Sequence, residues 1–266
     1  MIRFFRFWTL FSCAVAFCLW LGSCTPQPLA KAVSLNFASG PQAREPLIEL
    51  EKQYRQEKVN VTINYTFSGA TALKERIERG ESFDIIQLPA KPLNELEKKG
   101  LVRLETRKDL VETEMVLVVP ADSTLAIANF GDLTSDRVKT IAMGTERLGV
   151  GQYTKEILTN LGIFSQLQSK AVWANVEVRE VIKAVESGQA DVGITFLPEA
   201  KLSQKVKIAA IAPANSHSPI ISRVVVLKNS QHPVEAKELI DFLASAKALP
   251  VFEKYGFTAL PPSSKP

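Results

Sequence analysis

Short apolar runs and stretches of helical periodicity take turns along almost the whole chain, and that alternation restricts it to an α/β architecture. Val33 to Ala38 predicts a strand, followed by a helix from Pro41 to Glu57 with Leu47, Leu50 and Tyr54 on one face. Val59 to Phe67 alternates as a second strand. Ala70 to Arg79 predicts a helix, its Leu73 and Ile77 four apart and Gly80 placed as a stop. Phe83 to Leu88 is a third strand, Pro92 to Lys99 a third helix ended by Gly100, and Met115 to Val119 a strand that stops at Pro120.

A second set of elements follows. Thr140 to Met143 predicts a strand, Gly151 to Leu161 a helix ended by Gly162, and Val176 to Glu186 a helix ended by Gly188. Asp191 to Phe196 and Val206 to Ile211 are strands. Ile221 to Leu227 leads into a helix over Pro233 to Ala244 and a last one near Pro250 to Tyr255. Crossings near Pro120 and near Pro213 to Pro219 suggest two lobes, each a mixed sheet flanked by helices, joined by a two-strand hinge with a ligand cleft between them. Residues 33–119 and 215–260 would form a discontinuous first lobe and residues 120–214 the second. No internal repeat, low-complexity tract or long linker interrupts this plan.

The N-terminus has a different character. Arg3 and Arg6 precede an uncharged apolar run from Phe7 to Leu21, and Leu21-Gly22-Ser23-Cys24 follows. A basic n-region, an apolar h-region and small residues make a secretory signal, not part of the fold. The run is marginal for a membrane span, which needs about 20 apolar residues. The closing residues resemble the lipobox of bacterial lipoproteins, which implies cleavage after Ser23, lipidation of Cys24 and a tether over residues 24–32. An ordinary secretory signal cut near Ala30 is the alternative; either way the chain is exported.

Cysteine usage agrees. Cys13 and Cys18 leave with the signal, so the mature domain has neither a disulfide framework nor a thiolate site, and its stability rests on a core. Two of the four net positive charges belong to Arg3 and Arg6, and the remaining basic residues are dispersed, which argues against nucleic acid. His217 and His232 have no carboxylate partner at ligand spacing. No nucleophile elbow, phosphate loop or His-paired serine suggests an enzyme. No cofactor is expected.

Three strand-to-helix junctions are rich in small and hydroxyl residues: Phe37-Ala38-Ser39-Gly40, Thr66-Phe67-Ser68-Gly69-Ala70-Thr71, and Gly144-Thr145 through Gly149-Val150-Gly151. A helix start offers unpaired N–H groups and the positive end of the helix dipole, so it suits an anion. Each junction can equally be read as simple capping, with Ser39 or Ser68 satisfying its own helix. Three of them in one exported α/β chain favour binding.

Taken in order, these junctions resemble the periplasmic molybdate-binding proteins of ABC transporters. So do Gly80 with Phe83-Asp84-Ile85-Ile86, Gly149-Val150-Gly151-Gln152-Tyr153, Asn175-Val176-Glu177-Val178-Arg179, Asp191-Val192-Gly193-Ile194-Thr195-Phe196, and Phe252-Glu253-Lys254-Tyr255-Gly256-Phe257. The likeness runs from about residue 33 to 258. It implies a type II-like periplasmic-binding-protein fold closing on a tetrahedral oxyanion, molybdate or tungstate, held by neutral donors. The partners implied are a membrane ABC permease and the lipid membrane itself. A monomer is expected, since no strongly apolar helix face is left over.

Carried over by residue, the resemblance assigns Ser39 as hydroxyl and N–H donor and Val150 and Val178 as backbone N–H donors. Two positions depart from the family pattern. Ala70 stands where a serine is usual, with Ser68 or Thr71 as neighbouring hydroxyls, and Phe196 stands where a tyrosine is frequent. Each lost bond to a charged ligand is worth roughly 1.5–3 kcal/mol, about one to two decades of affinity. The departures therefore leave another small anion, such as sulfate, phosphate or an organic acid, as an alternative ligand, and an exported enzyme on the same fold is a further alternative. Arg44, Arg147 and Arg179 read as rim arginines, Asp84 and Asp191 as loop caps or orienters, and Tyr153 as a packing residue.

Overall fold

The computed structural model describes residues 31–260. The expected signal, Cys24 and most of the expected tether lie outside that range. Among the described residues, eleven strands form two sheets, of six and five strands.

The first sheet contains β1 (Val33–Ser39), β2 (Val61–Phe67), β3 (Ile85–Pro89), β4 (Lys108–Thr113), β10 (Ile220–Val226) and β11 (Thr258–Ala259), in the order β11-β4-β10-β3-β1-β2. β1 pairs parallel with β2 and β3, whereas β10 runs antiparallel to β3 and β4. Its two faces are covered by different helices. Alternation sends Val33, Leu35 and Phe37 to one face, under α1 (Arg44–Glu57), α8 (Pro233–Leu243) and α9 (Leu249–Lys254), with Leu47, Leu50, Leu239, Ile240 and Phe252 filling the gap. On the opposite face Ile86, Leu88 and Val225 meet Leu73 and Ile77 of α2 (Ala70–Glu78) and Leu93 and Leu96 of α3 (Ala90–Lys98). The C-terminal helices α8 and α9 thus pack on the first sheet.

The second sheet holds β5 (Met115–Pro120), β6 (Ile141–Gly144), β7 (Ala171–Ala174), β8 (Val192–Phe196) and β9 (Val206–Ile211), in the order β7-β6-β8-β5-β9. α4 (Gly149–Asn160) covers one face with Ile157 and Leu158, followed by α5 (Phe164–Leu167). α6 (Arg179–Glu186) covers the other with Val181, Ile182 and Val185, beside the short α7 (Leu197–Lys201). Gly80, Gly100, Gly162 and Gly188, the expected stops, all take positive φ, between 68° and 89°.

Three differences from the sequence reading have local causes. β4, β7 and β11 carry little strand signature: β4 is broken by a register shift opposite Ser222 and Arg223, β7 is a four-residue edge, and β11 has two residues. The helix expected from Val176 starts at Arg179, because the Glu180 carboxylate accepts the N–H groups of Asn175 at 2.7 Å and Val176 at 3.2 Å and holds them in a turn. The first crossing lies at Glu114 and not at Pro120. β5 pairs with β8 and β9, so residues 115–119 belong to the second lobe and Pro120 ends a strand inside it.

The two crossings run side by side. Thr113 pairs with Ile220 in the first sheet and Val116 with Ile211 in the second, while Ala212 N–H donates to Met115 O at 2.8 Å.

Candidate functional site

A cavity of about 330 Å³ lies between the two sheets, at the ends of β1, β3, β4, β8 and β10 and the starts of α2, α4 and α6. That volume is at the lower end of small-molecule sites. Ser39, Ser68, Ala70, Thr71, Val178 and Phe196 all line it. Val150 is the second residue of α4; its side chain lies in the second lobe's core, and the lining from this turn comes from Arg147, Leu148 and Gly149.

Chain geometry explains why these residues meet. The Ser68 N–H donates to Ser39 O at 3.1 Å, which ties the end of β1 to the loop that opens α2. The turn from β6 into α4 is tight enough to require glycine. A Cβ at Gly144 would sit 2.5 Å from Val150 Cγ1, and one at Gly151 would overlap the backbone oxygens of Gly144 and Thr145. None of the three helices is capped by a side chain at its first residue. Among the described residues, the N–H groups of Ala70, Thr71, Gly149, Val150 and Val178 make no hydrogen bond within the chain. They are the orphan donors of helix starts, each adding the positive end of a helix dipole.

Ser39 does not cap a helix. It is fully buried, and its hydroxyl donates to Gln87 Oε1 at 3.1 Å, while Gln87 Nε2 donates to Ser222 Oγ at 2.9 Å. The carboxylate considered as an orienter, Asp84, instead accepts from Asn36 N–H at 2.8 Å and Ser230 Oγ at 2.6 Å. Asp191 has the matching position in the second lobe, accepting from the N–H groups of Lys139 and Thr140 at 2.8 and 2.9 Å. Both aspartates tie a strand start to its neighbouring strand.

Sequence reasoning missed Gln87, Ser222 and Thr113, all of which line the cavity. They continue the face that carries the first lobe's core. Val33, Leu35 and Phe37 lead to Ser39; Ile85 leads to Gln87; Val226 and Val224 lead to Ser222; Val111 leads to Thr113. Where the covering helices end, each row turns polar. The Thr113 hydroxyl is buried without a partner. The available sign in the sequence was a polar residue closing each apolar alternation.

The second lobe presents a different wall. Phe196 closes the row Val192, Ile194, Phe196 and is nearly buried, its ring 6.2 Å from that of Tyr153 and edge-on to it. Tyr153 lines the cavity as well as packing, and burial raises its phenol pKa, so the hydroxyl stays neutral. The charged side chains among the lining residues are Glu75 and the exposed Arg147. Arg44 lies outside the cavity, 4.4 Å above the Phe67 ring. Arg179 turns to the buried Glu199, 3.7 Å away, and does not reach the cavity. Apart from Glu75 and Arg147, the lining consists of neutral donors and apolar walls, an arrangement able to hold charge through dipoles and hydrogen bonds.

Sequence and structure comparisons agree with this architecture. The pattern of a family described as bacterial extracellular solute-binding proteins matches residues 35–258. YvgL of Bacillus subtilis, named as a substrate-binding lipoprotein of an ABC transporter, is 32% identical over 96% of this chain and 99% of its own. The molybdate-binding protein ModA of Haemophilus influenzae is 28% identical over 80% of this chain and 85% of its own. A solved substrate-binding domain, named for a molybdenum ABC transporter of Clostridium difficile, superposes with a TM-score of 0.74 at 32% identity, covering 86% of this chain and all of that one.

Proposed function

The chain belongs to the family of bacterial extracellular solute-binding proteins, and from that premise we propose that it captures a tetrahedral oxyanion, molybdate or tungstate first, for an ABC permease. One observation carries the reading: Ala70, Gly149 and Val178, at three helix starts with unpaired N–H groups, line the same cavity between the lobes as the buried Ser39. A fully ionised oxyanion has only acceptors, and these groups are donors. A lysine or arginine at the centre would hold any anion; neutral donors in fixed positions select by size and geometry instead. The names of ModA and of the Clostridium domain support molybdate in particular.

In this reading the crossings at Glu114 and at residues 212–219 act as the hinge. Contacts from both lobes to one anion favour the closed arrangement, because only there are all the donors used. Binding occurs without turnover, since the cavity offers no histidine and no paired carboxylates to move a proton. The protein works as a monomer, held to the outer face of a membrane through lipid on Cys24; the lipoprotein name of YvgL supports the anchor. Cys24→Ala should release the protein to the soluble fraction, and its retention in the membrane would remove the anchor from the proposal.

A specific observation also favours a second ligand class. Ala70 and Phe196 withdraw two hydroxyls, and Val111, Ile220, Ile221 and Phe257 add apolar lining that a four-oxygen anion does not need. An organic acid would use that surface. Isothermal titration of the purified protein with molybdate, tungstate, sulfate, phosphate and small carboxylates decides between them. Micromolar or tighter binding of molybdate and tungstate, with sulfate silent, is the expected result; carboxylate binding alone would transfer the site to the second class.

A further inference from the structure

We propose that Gln87 is a positioning residue that decides whether Ser39 offers its ligand a proton or a lone pair; the inference rests on the oxyanion reading above. Gln87 is only 3% exposed, lines the cavity, and bridges Ser39 of β1 to Ser222 of β10, a strand that leads directly out of the second crossing. A serine hydroxyl has one proton. With that proton donated to Gln87 Oε1, Ser39 can only accept from whatever occupies the cavity, and an ionised oxyanion has nothing to donate.

A half-turn of the Gln87 amide reverses the chain. Nε2 then donates to Ser39 Oγ, the Ser39 proton is free to point at the ligand, and Ser222 supplies its own proton to Oε1. Every polar atom in the bridge remains satisfied in both settings, because an amide carries a donor and an acceptor of similar size at one branch point. The Ser222 hydroxyl permits this, since its side chain makes no other hydrogen bond among the described residues. An ionised oxyanion selects the donating setting. A protonated one, which carries a hydroxyl of its own, is served by the accepting setting. Gln87 therefore lets the Ser39 hydroxyl match either protonation state of an oxyanion, acting through Ser39.

Replacing the amide with a carboxylate removes the donating setting, since an ionised carboxylate only accepts. Gln87→Glu should bind molybdate about 30-fold more weakly than wild type at about pH 8 and regain most of that loss by about pH 5.5, as the buried carboxyl takes up a proton and can donate again. Wild type titrated in parallel carries the other ionisable groups of the cavity, Glu75, Arg147 and Tyr153, and provides the baseline. A double-mutant cycle gives a second readout that does not depend on one variant folding well. Gln87→Leu should weaken binding about 3- to 10-fold in the wild-type background and less than about 2-fold once Ser39 is alanine.

A pH-independent loss in Gln87→Glu, or additive losses in the cycle, would overturn the role of Gln87 while leaving the oxyanion reading intact. Failure of wild type to bind any of the four inorganic oxyanions would overturn both.

Discussion

The two lobes share one strand plan and bring different kinds of group to the cavity. Read from the parallel edge, the first sheet runs β2-β1-β3-β10-β4 before its two-residue edge strand β11, and the second β7-β6-β8-β5-β9, with the same parallel and antiparallel neighbours over the five shared strands. Yet the strands of the first lobe bring Ser39, Gln87 and Ser222 to the cavity, whereas β8 of the second ends there in Phe196 and its helices begin at Gly149 and beside Val178. The first lobe presents side-chain hydroxyls and an amide beside the N–H groups of Ala70 and Thr71; the second presents backbone N–H groups and an aromatic wall. A backbone donor survives almost any side-chain change, but the turn that presents it does not survive a change of path. Sensitivity to substitution should therefore fall on different residue types in the two lobes.

Breaking the second lobe's turn should have the largest effect. Gly151→Val places a side chain where the oxygens of Gly144 and Thr145 already lie, so the start of α4 must move. We expect a stability loss of about 1–3 kcal/mol in denaturant unfolding and loss of measurable anion binding. Full affinity with unchanged stability would mean that the turn is not the constraint described here. Next is Ser39→Ala in the first lobe, which should weaken binding at least about tenfold in isothermal titration by removing one hydrogen bond to a charged ligand. An unchanged affinity would sink Ser39 as a ligand residue.

Phe196→Tyr tests whether the second lobe can be given a side-chain donor. Its ring already lines the cavity, so an added hydroxyl should tighten molybdate binding by up to about tenfold. No change would show that the para position does not face the anion. The smallest effect belongs to Val178→Ala, which keeps the N–H and removes only partly buried methyls. Its affinity should stay within about twofold of wild type, and a tenfold loss would argue that the side chain, not the backbone, makes the contact.

Much of this molecule was legible from composition and spacing. Alternating apolar runs gave most strands, i, i+4 pairs such as Leu73 and Ile77 gave helices, and glycine stops gave their ends, because these depend on backbone chemistry within a few residues. Ser39 and Ala70 lie in strand-to-helix junctions, a local pattern with a local meaning, but their roles, and Val178 altogether, could be named only through the family resemblance. Tyr153 was readable only as a packing residue, since nothing in its own segment shows that its ring would reach both Phe196 and the cavity.

By itself, then, the sequence determined the α/β class and the order of most elements, and raised the expectation of an export signal at the N-terminus; the departures at Ala70 and Phe196 stand out only against the family resemblance. Tertiary structure alone decided the crossing at Glu114, since the lobe to which Met115–Pro120 belongs is settled by pairing with β8 and β9, both far away in the chain. It also created the polar floor of the cavity. Gln87, Thr113 and Ser222 are dispersed along the chain, and only the β3-β10-β4 pairing brings them onto one face at the point where the covering helices stop. Periodicity tells a residue which face of its own strand it occupies; the register between strands, which needs the whole sheet, tells it which neighbours it will have there.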